Sequence, residues 1–146
     1  MWNTIKTEED IKVFMEQIGF FHDSCIKEMS YVSGAYMNKD CSMYPINDSR
    51  NLKMIIYRQF EDFPAIELEF MGIRYLKLYP ATDNYTCEIL GAALFFKDGL
   101  IYWCDDDFIT PDNMNDYQRT IVCAESLRWR SIGKFFGNDP FYVPKL

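Results

Sequence analysis

The sequence predicts an α+β domain: a mainly antiparallel β-sheet of about seven strands, forming a sandwich or a partly open barrel, with one N-terminal amphipathic helix. Three observations predict it. Only residues 7–18 place their apolar side chains at spacings of three and four. Most of the chain beyond them alternates with period two. The connections between alternating segments are short, whereas parallel strands need long crossovers. No repeat or linker divides the chain, and residues 1–146 are read as one domain.

The helix has a start, a face and an end. Thr7 is placed to cap it, and Asp10 stands at the third helical position, a capping box with Asp for Glu. Glu8, Glu9 and Asp10 put negative charge in the first turn, where the helix dipole favours it. Ile11, Phe14, Met15 and Ile18 share one face, and Gly19 is suited to end the helix. The first strand runs Cys25–Val32, with Cys25, Met29 and Tyr31 on one parity and Lys27 out of step. Gly34 is read as a bulge. Residues 38–50, rich in Asn, Asp, Ser and Pro, are read as a loop.

In the next strand Leu52, Met54 and Ile56 alternate with Lys53, Ile55 and Tyr57. Ile66, Leu68 and Phe70 alternate with Glu67 and Glu69, which places the two glutamates in solvent. Gly72 separates this strand from another over Ile73–Leu78, and residues 79–84 are a turn. The nearly all-apolar Cys87–Phe96 reads as a central strand, with Gly91-Ala92-Ala93 marking close packing or a bend. Lys97-Asp98-Gly99 is a hairpin signal leading into Leu100–Cys104. Residues 105–116 form a polar loop with a helical turn after Pro111. Thr120–Trp129 is the last strand, and Gly137-Asn138-Asp139-Pro140 opens an irregular tail.

Composition excludes several function classes. Of 146 residues, 49% are hydrophobic and 25% charged, which suits a globular domain and excludes a disordered tail. The longest stretch without a charge, Met29–Asn38, falls far short of the ~20 apolar residues of a membrane helix. Acidic residues 8–10 stand where a secretory signal would carry its apolar core, which predicts a cytoplasmic chain. The net charge of −7, from 15 basic and 22 acidic residues, argues against nucleic acid as the ligand and favours a basic protein partner. The cysteines at 25, 41, 87, 104 and 123 are odd in number and lack C-x-x-C spacing, so they are read as reduced structural thiols.

Few residues point to chemistry. His22 is the single histidine, which excludes a two- or three-histidine metal site within one chain. His22-Asp23-Ser24 holds the residue types of a hydrolase triad, but neighbouring side chains diverge. A Cys25–His22 nucleophile pair would need an electropositive setting, and Cys25 is flanked by apolar residues. His22 and Asp23 are therefore read as satisfying backbone groups between helix and strand. Glu67 and Glu69 stand near the 5–5.5 Å carboxylate separation of a retaining glycosidase, about what i, i+2 spacing allows, but read as a solvated face. No glycine-rich phosphate loop is present.

The strongest signal is charge. Between Asp98 and Gln118 stand six aspartates and no Lys or Arg, with Tyr102, Trp103, Phe108 and Tyr117 interleaved. The run lacks the spacing of a calcium-binding loop, and at most two of three consecutive aspartates converge on an extended chain, so no metal and no cofactor are expected. Trp103, Asp105, Asp106, Asp107 and Phe108 are read as a partner-binding surface: carboxylates steer and aromatics anchor. Residues 119–134 invert the sign, with Arg119, Arg128, Arg130 and Lys134 against Glu125. If that strand lies beside the acidic loop, internal pairing explains it. Arg128-Trp129-Arg130 offers a stacked anion site as a further reading.

The segment Phe21-His22-Asp23-Ser24-Cys25-Ile26, leading from a short helix into a strand, resembles the opening of several small bacterial families. These include uncharacterised domains and immunity-type proteins of polymorphic toxin systems, with the pattern Phe-His-Asp-Ala/Ser before an apolar residue. Asp98-Gly99-Leu100-Ile101-Tyr102-Trp103-Cys104-Asp105 is similar to a bacterial family of the same kind. The resemblance implies a protein that works by binding and carries over no catalytic residue. The expected function is neutralisation of a basic toxin through the acidic, aromatic-flanked loop. The alternative is a ligand-binding or enzymatic β-barrel with an aromatic-lined pocket. A homo-oligomer joined through strand edges stays open.

Overall fold

The computed structural model describes residues 1–133 and 137–142. Lys134 lies outside them. The described chain is an α+β fold in which antiparallel strands form a curled, open half-barrel with one N-terminal helix.

The helix α1 spans Glu8–Gln17, with the capping box complete: the Thr7 side chain accepts from the Asp10 N–H, and the Asp10 carboxylate accepts from the Thr7 N–H. Such a cap contributes about 1 kcal/mol. Gly19, at φ 62°, turns the chain out of the helix. Phe14 and Phe21 carry the helix and the following 3₁₀ turn, Gly19–Phe21, onto the sheet, with Phe14 4.8 Å from Trp129 and Phe21 5.6 Å from Trp103.

The strands are β1 (Asn3–Ile5), β2 (Ser24–Val32), β3 (Tyr36–Met37), β4 (Met43–Tyr44), β5 (Asn51–Arg58), β6 (Ala65–Lys77), β7 (Glu88–Ile89), β8 (Ala93–Lys97), β9 (Leu100–Cys104) and β10 (Ile121–Ser131). The main sheet runs β7-β2-β5-β6-β10-β9-β8, and β1 pairs with β10 beyond the end of β9. Alternation works as expected on the inner face. Leu52, Met54, Ile56, Ile66, Leu68 and Phe70 are buried there with α1. Asp98 and Gly99 both take positive φ in the two-residue turn between β8 and β9.

Four strand readings are corrected. The bulge in β2 falls at Lys27, not Gly34: Ile26 pairs with Ile56 and Glu28 with Ile55, leaving Lys27 unpaired, which accounts for its broken parity. The segments on either side of Gly72 are one bent strand. Gly72 sits at φ 69°, and a Cβ there would lie 2.3 Å from a Glu125 carboxylate oxygen. Cys87–Phe96 is not a central strand. It splits into β7 and β8, which hydrogen-bond to opposite edges of the sheet, and its apolar residues are needed because Ile89, Ala92 and Leu94 line the core as the segment crosses. The 38–50 loop contains β4, which pairs with β3 in a small hairpin whose Tyr36 and Tyr44 rings stack at 4.7 Å. After Pro111 the chain makes successive turns rather than a helix, with Asn113 N donating to Thr110 O and Asp116 N to Asn113 O.

The outer face carries a charge ladder. Glu67 and Glu69 are only 6% and 5% exposed, which corrects their reading as a solvated row. Arg130 donates to Glu67 at 3.0 Å and Arg128 to Glu69 at 2.9 Å, across the β6–β10 register. Asn51 and Lys53 of β5 complete the ladder from the other side. Trp2 lies 4.3 Å from both guanidinium groups and covers them, so the stacking partner of the two arginines is Trp2 and not Trp129, which faces inward at 4% exposure. This leaves the arginine pair committed to carboxylates rather than open to an anion. Among the described residues no helix is long and apolar enough to cross a membrane.

Candidate functional site

The acidic segment follows β9 directly and is held as a shaped loop. Ile109 and Met114 are buried against Tyr102, Cys104, Ile121 and Cys123, so the loop is pinned to the outer face of β9 and β10. Its two ends are clamped: Asp105 N donates to Thr120 O and Thr120 N to an Asp105 carboxylate oxygen, each at 3.2 Å. Inside it, Asn113 accepts from Thr110 N at 2.7 Å and donates to Phe108 O at 3.0 Å. Lys97 Nζ reaches over from β8 to Pro111 O. Polar residues at 110 and 113 thus satisfy backbone groups, and the two apolar ones anchor the loop.

The predicted site residues separate into three environments. Trp103 is fully buried inside the sheet against Phe21, so its place in the binding surface is corrected: on β9 it falls on the inward parity, and the core covers it. Asp105 is half-buried. Burial pushes its carboxyl above the ordinary value of 3.8, against the pull of the Thr120 N–H and Arg119. Asp106 is held by Arg119 at 3.0 Å, the one salt bridge between the basic stretch and the acidic loop among the described residues. Asp107 and Phe108 are exposed. Phe108 meets Tyr117 edge-on at 4.7 Å, and the Arg119 guanidinium lies 5.6 Å from its ring centroid.

The three aspartates form one wall of a cleft of about 600 Å³. The other wall is the segment from Tyr79 to Gly91, with Tyr85 and Leu90 strongly exposed on its rim. The two walls approach closely at Gly91, where a Cβ would lie 2.7 Å from an Asp107 carboxylate oxygen. Tyr79 is fixed to the loop's far end through its hydroxyl, which donates to Gln118, and its backbone, which exchanges hydrogen bonds with Thr120. Tyr79 and Asp105 also border a smaller chamber of about 390 Å³ lined by Ile26, Met29 and Ile89. A cavity of about 500 Å³ on the outer face is bordered by Lys53, Glu67 and Arg130, whose charges pair with one another.

Sequence reasoning missed the opposing wall. Its signal was the pair of tyrosines flanking the 80–84 turn, but nothing local shows that this turn faces the acidic loop. It also missed the β3–β4 hairpin, where Tyr36, Met37 and Met43 are exposed.

Elsewhere, His22 is exposed and its Nδ1 lies 3.0 Å from an Asp23 carboxylate oxygen. Ser24 Oγ donates to the His22 carbonyl oxygen, so the three residues do not form a triad. Of the cysteines, 104 and 123 are buried as the structural reading expects, whereas Cys41 and Cys87 are exposed. Among the described residues no group of three or more His, Cys, Asp or Glu is arranged to hold a metal ion. Glu125 is paired with Arg50 and Arg74. Comparison with known proteins finds no matching family model, no matching curated protein and no matching solved structure.

Proposed function

We propose that this is a non-catalytic protein-binding domain that takes a basic partner on the acidic loop and its cleft, in the manner of an immunity-type protein that neutralises a basic toxin. The observation that carries the reading is the gathering of Asp105, Asp106 and Asp107 on one wall of a cleft, with Phe108, Tyr85 and Leu90 exposed beside them and, among the described residues, Arg119 alone paired with one of them. The net charge of −7 supports steering of a cationic surface over a longer range. Once docked, exposed rings and Leu90 supply the apolar contact that charge alone does not. The anchors in this reading are Phe108, Tyr85 and Leu90, with no part for Trp103.

The test is affinity capture from the native host's lysate, followed by association kinetics with the captured basic protein. The variant carrying Asp→Asn at 105, 106 and 107 should associate about tenfold more slowly at low ionic strength, with the difference shrinking as salt screens it. An unchanged on-rate would overturn the reading. A second reading, binding of a small apolar ligand, is favoured by one observation: the 390 Å³ chamber behind Tyr79 is within the size range of ligand pockets.

A further inference from the structure

We propose that the 390 Å³ chamber behind Tyr79 is a binding site for a small apolar primary amine, its chain on Ile26, Met29 and Ile89 and its ammonium on Asp105. The inference deepens the small-ligand reading of that chamber and rests on it; the basic-partner reading stands apart from it. The chamber forms where the sheet runs out of strand. β7 faces only Ser24 and Cys25, so from Ile26 onward β2 has no strand on that side among the described residues. The bulge at Lys27 sets Ile26 opposite Ile56 and Met29 opposite Met54, both inward positions, and so turns two apolar side chains to the same side. They pack against the core but stay half-buried, where a neighbouring strand would have covered them. The chain from Leu78 to Ala81 lines the gap instead.

The lining selects the ligand's chemistry. Asp105 is the one charged side chain among the described residues that line the chamber. The other polar groups are already engaged: Thr120 Oγ and the Tyr79 backbone hold each other, and the Tyr79 hydroxyl donates to Gln118. Asp105 accepts from Thr120 N at 3.2 Å, and among the described residues it forms no salt bridge, since Arg119 is engaged with Asp106. Burial leaves its carboxylate short of solvent, which is what raises its carboxyl. A primary ammonium supplies the missing charge and donors, and an amine of lysine's basicity carries that charge at neutral pH. An anion would meet Asp105 as a like charge.

Position and size agree with this. Tyr79, Pro80, Ala81 and Asp105 line both the chamber and the cleft, so the chamber adjoins a cleft that carries Asp106 and Asp107 on its wall. Carboxylates along an approach raise the local concentration of cations. The volume lies near the bottom of the roughly 300–1,000 Å³ range of ligand pockets, which suits one short chain or ring.

The test is an NMR titration of the full chain, isotopically labelled at its Ile, Leu and Met methyl groups. Hexylamine should shift the Ile26, Met29 and Ile89 methyls and bind about tenfold more tightly than hexanol, by the worth of a hydrogen bond to a charged group. Hexanoate, with the opposite charge, and methylammonium, with no chain, should shift none of them at the same concentration. Asp105→Asn keeps an acceptor for Thr120 N and should bind the amine and the alcohol equally. Cys87→Trp, at an exposed position on the lining, should block both. Equal binding of hexylamine and hexanol by the parent, or an amine preference kept by Asp105→Asn, would overturn the amine assignment and leave the small-ligand reading standing. Binding of neither would overturn both. Tighter binding of an Nα-acetyl-lysine amide than of hexylamine would overturn the free amine in favour of a lysine side chain of a protein partner.

Discussion

Glu67 and Glu69 on β6 and Asp105–Asp107 after β9 are both short acidic rows, yet the molecule uses them in opposite ways. The glutamates sit in mid-sheet, where β5 and β10 bring Lys53, Asn51, Arg128 and Arg130 alongside and Trp2 covers the result. Their charge is committed to the fold. The aspartates lie where β9 leaves the sheet, and among the described residues only Arg119 forms a salt bridge with them, at Asp106. Asp107 remains exposed. A carboxylate's availability depends on how many strands flank it, because each flanking strand brings a cross-strand partner.

The same contrast holds for the aromatic residues, and the largest expected effect tests it there. Trp103→Ala should cost about 3–5 kcal/mol in urea denaturation, because it empties a fully buried site against Phe21. Phe108→Ala, at an exposed ring, should cost under about 1 kcal/mol. Equal losses would break the division into core and surface.

Next in size is the ladder itself. Glu69→Gln leaves Arg128 without its carboxylate and should cost about 1–3 kcal/mol, by the usual worth of a hydrogen bond to a charged group. Because Arg128 is about a third exposed, water recovers part of that loss and keeps it below the cost for a fully buried pair. A loss no larger than that of Asp107→Asn would show that the two acidic rows are equivalent after all.

The smallest effect concerns Asp105, which stands between the two regimes. Its folded-state carboxyl is raised, chiefly by burial, so the ionised form is the one folding disfavours. The stability linked to its proton is fully present below the ordinary value of 3.8 and is lost as pH rises through the folded value. Asp105→Asn keeps an oxygen for the Thr120 N–H and removes the charge. It should therefore be as stable as the parent or slightly more so at pH 7, with the advantage gone near pH 3. Urea midpoints at the two pH values measure it. A variant weaker at pH 7 would mean that the ionised carboxylate stabilises the fold.

Much of this fold was legible because its signals are local. Thr7 and Asp10 close their capping box within one turn, and Asp98-Gly99 makes its own hairpin. The strands around Met54 and Leu68 announce their inner face by alternation. Lys27 showed a broken parity, but the bulge that explains it became visible only against the register with β5. The site was half legible. The acidic run stood out, whereas Tyr79, Tyr85 and Leu90 gave no sign of facing it.

By itself, then, the sequence determined the fold class, the helix and its ends, the tight turn, and which residues of each strand share a face. Tertiary structure alone decided that Cys87–Phe96 divides between opposite edges, that Glu67 and Glu69 are buried in pairs, and that Trp103 belongs to the core. The physical reason is one of range. Backbone geometry and side-chain periodicity act over a few residues, and the chain states them directly. Which face is covered, and by which charge, depends on segments tens of residues apart, and only closure of the sheet brings those together.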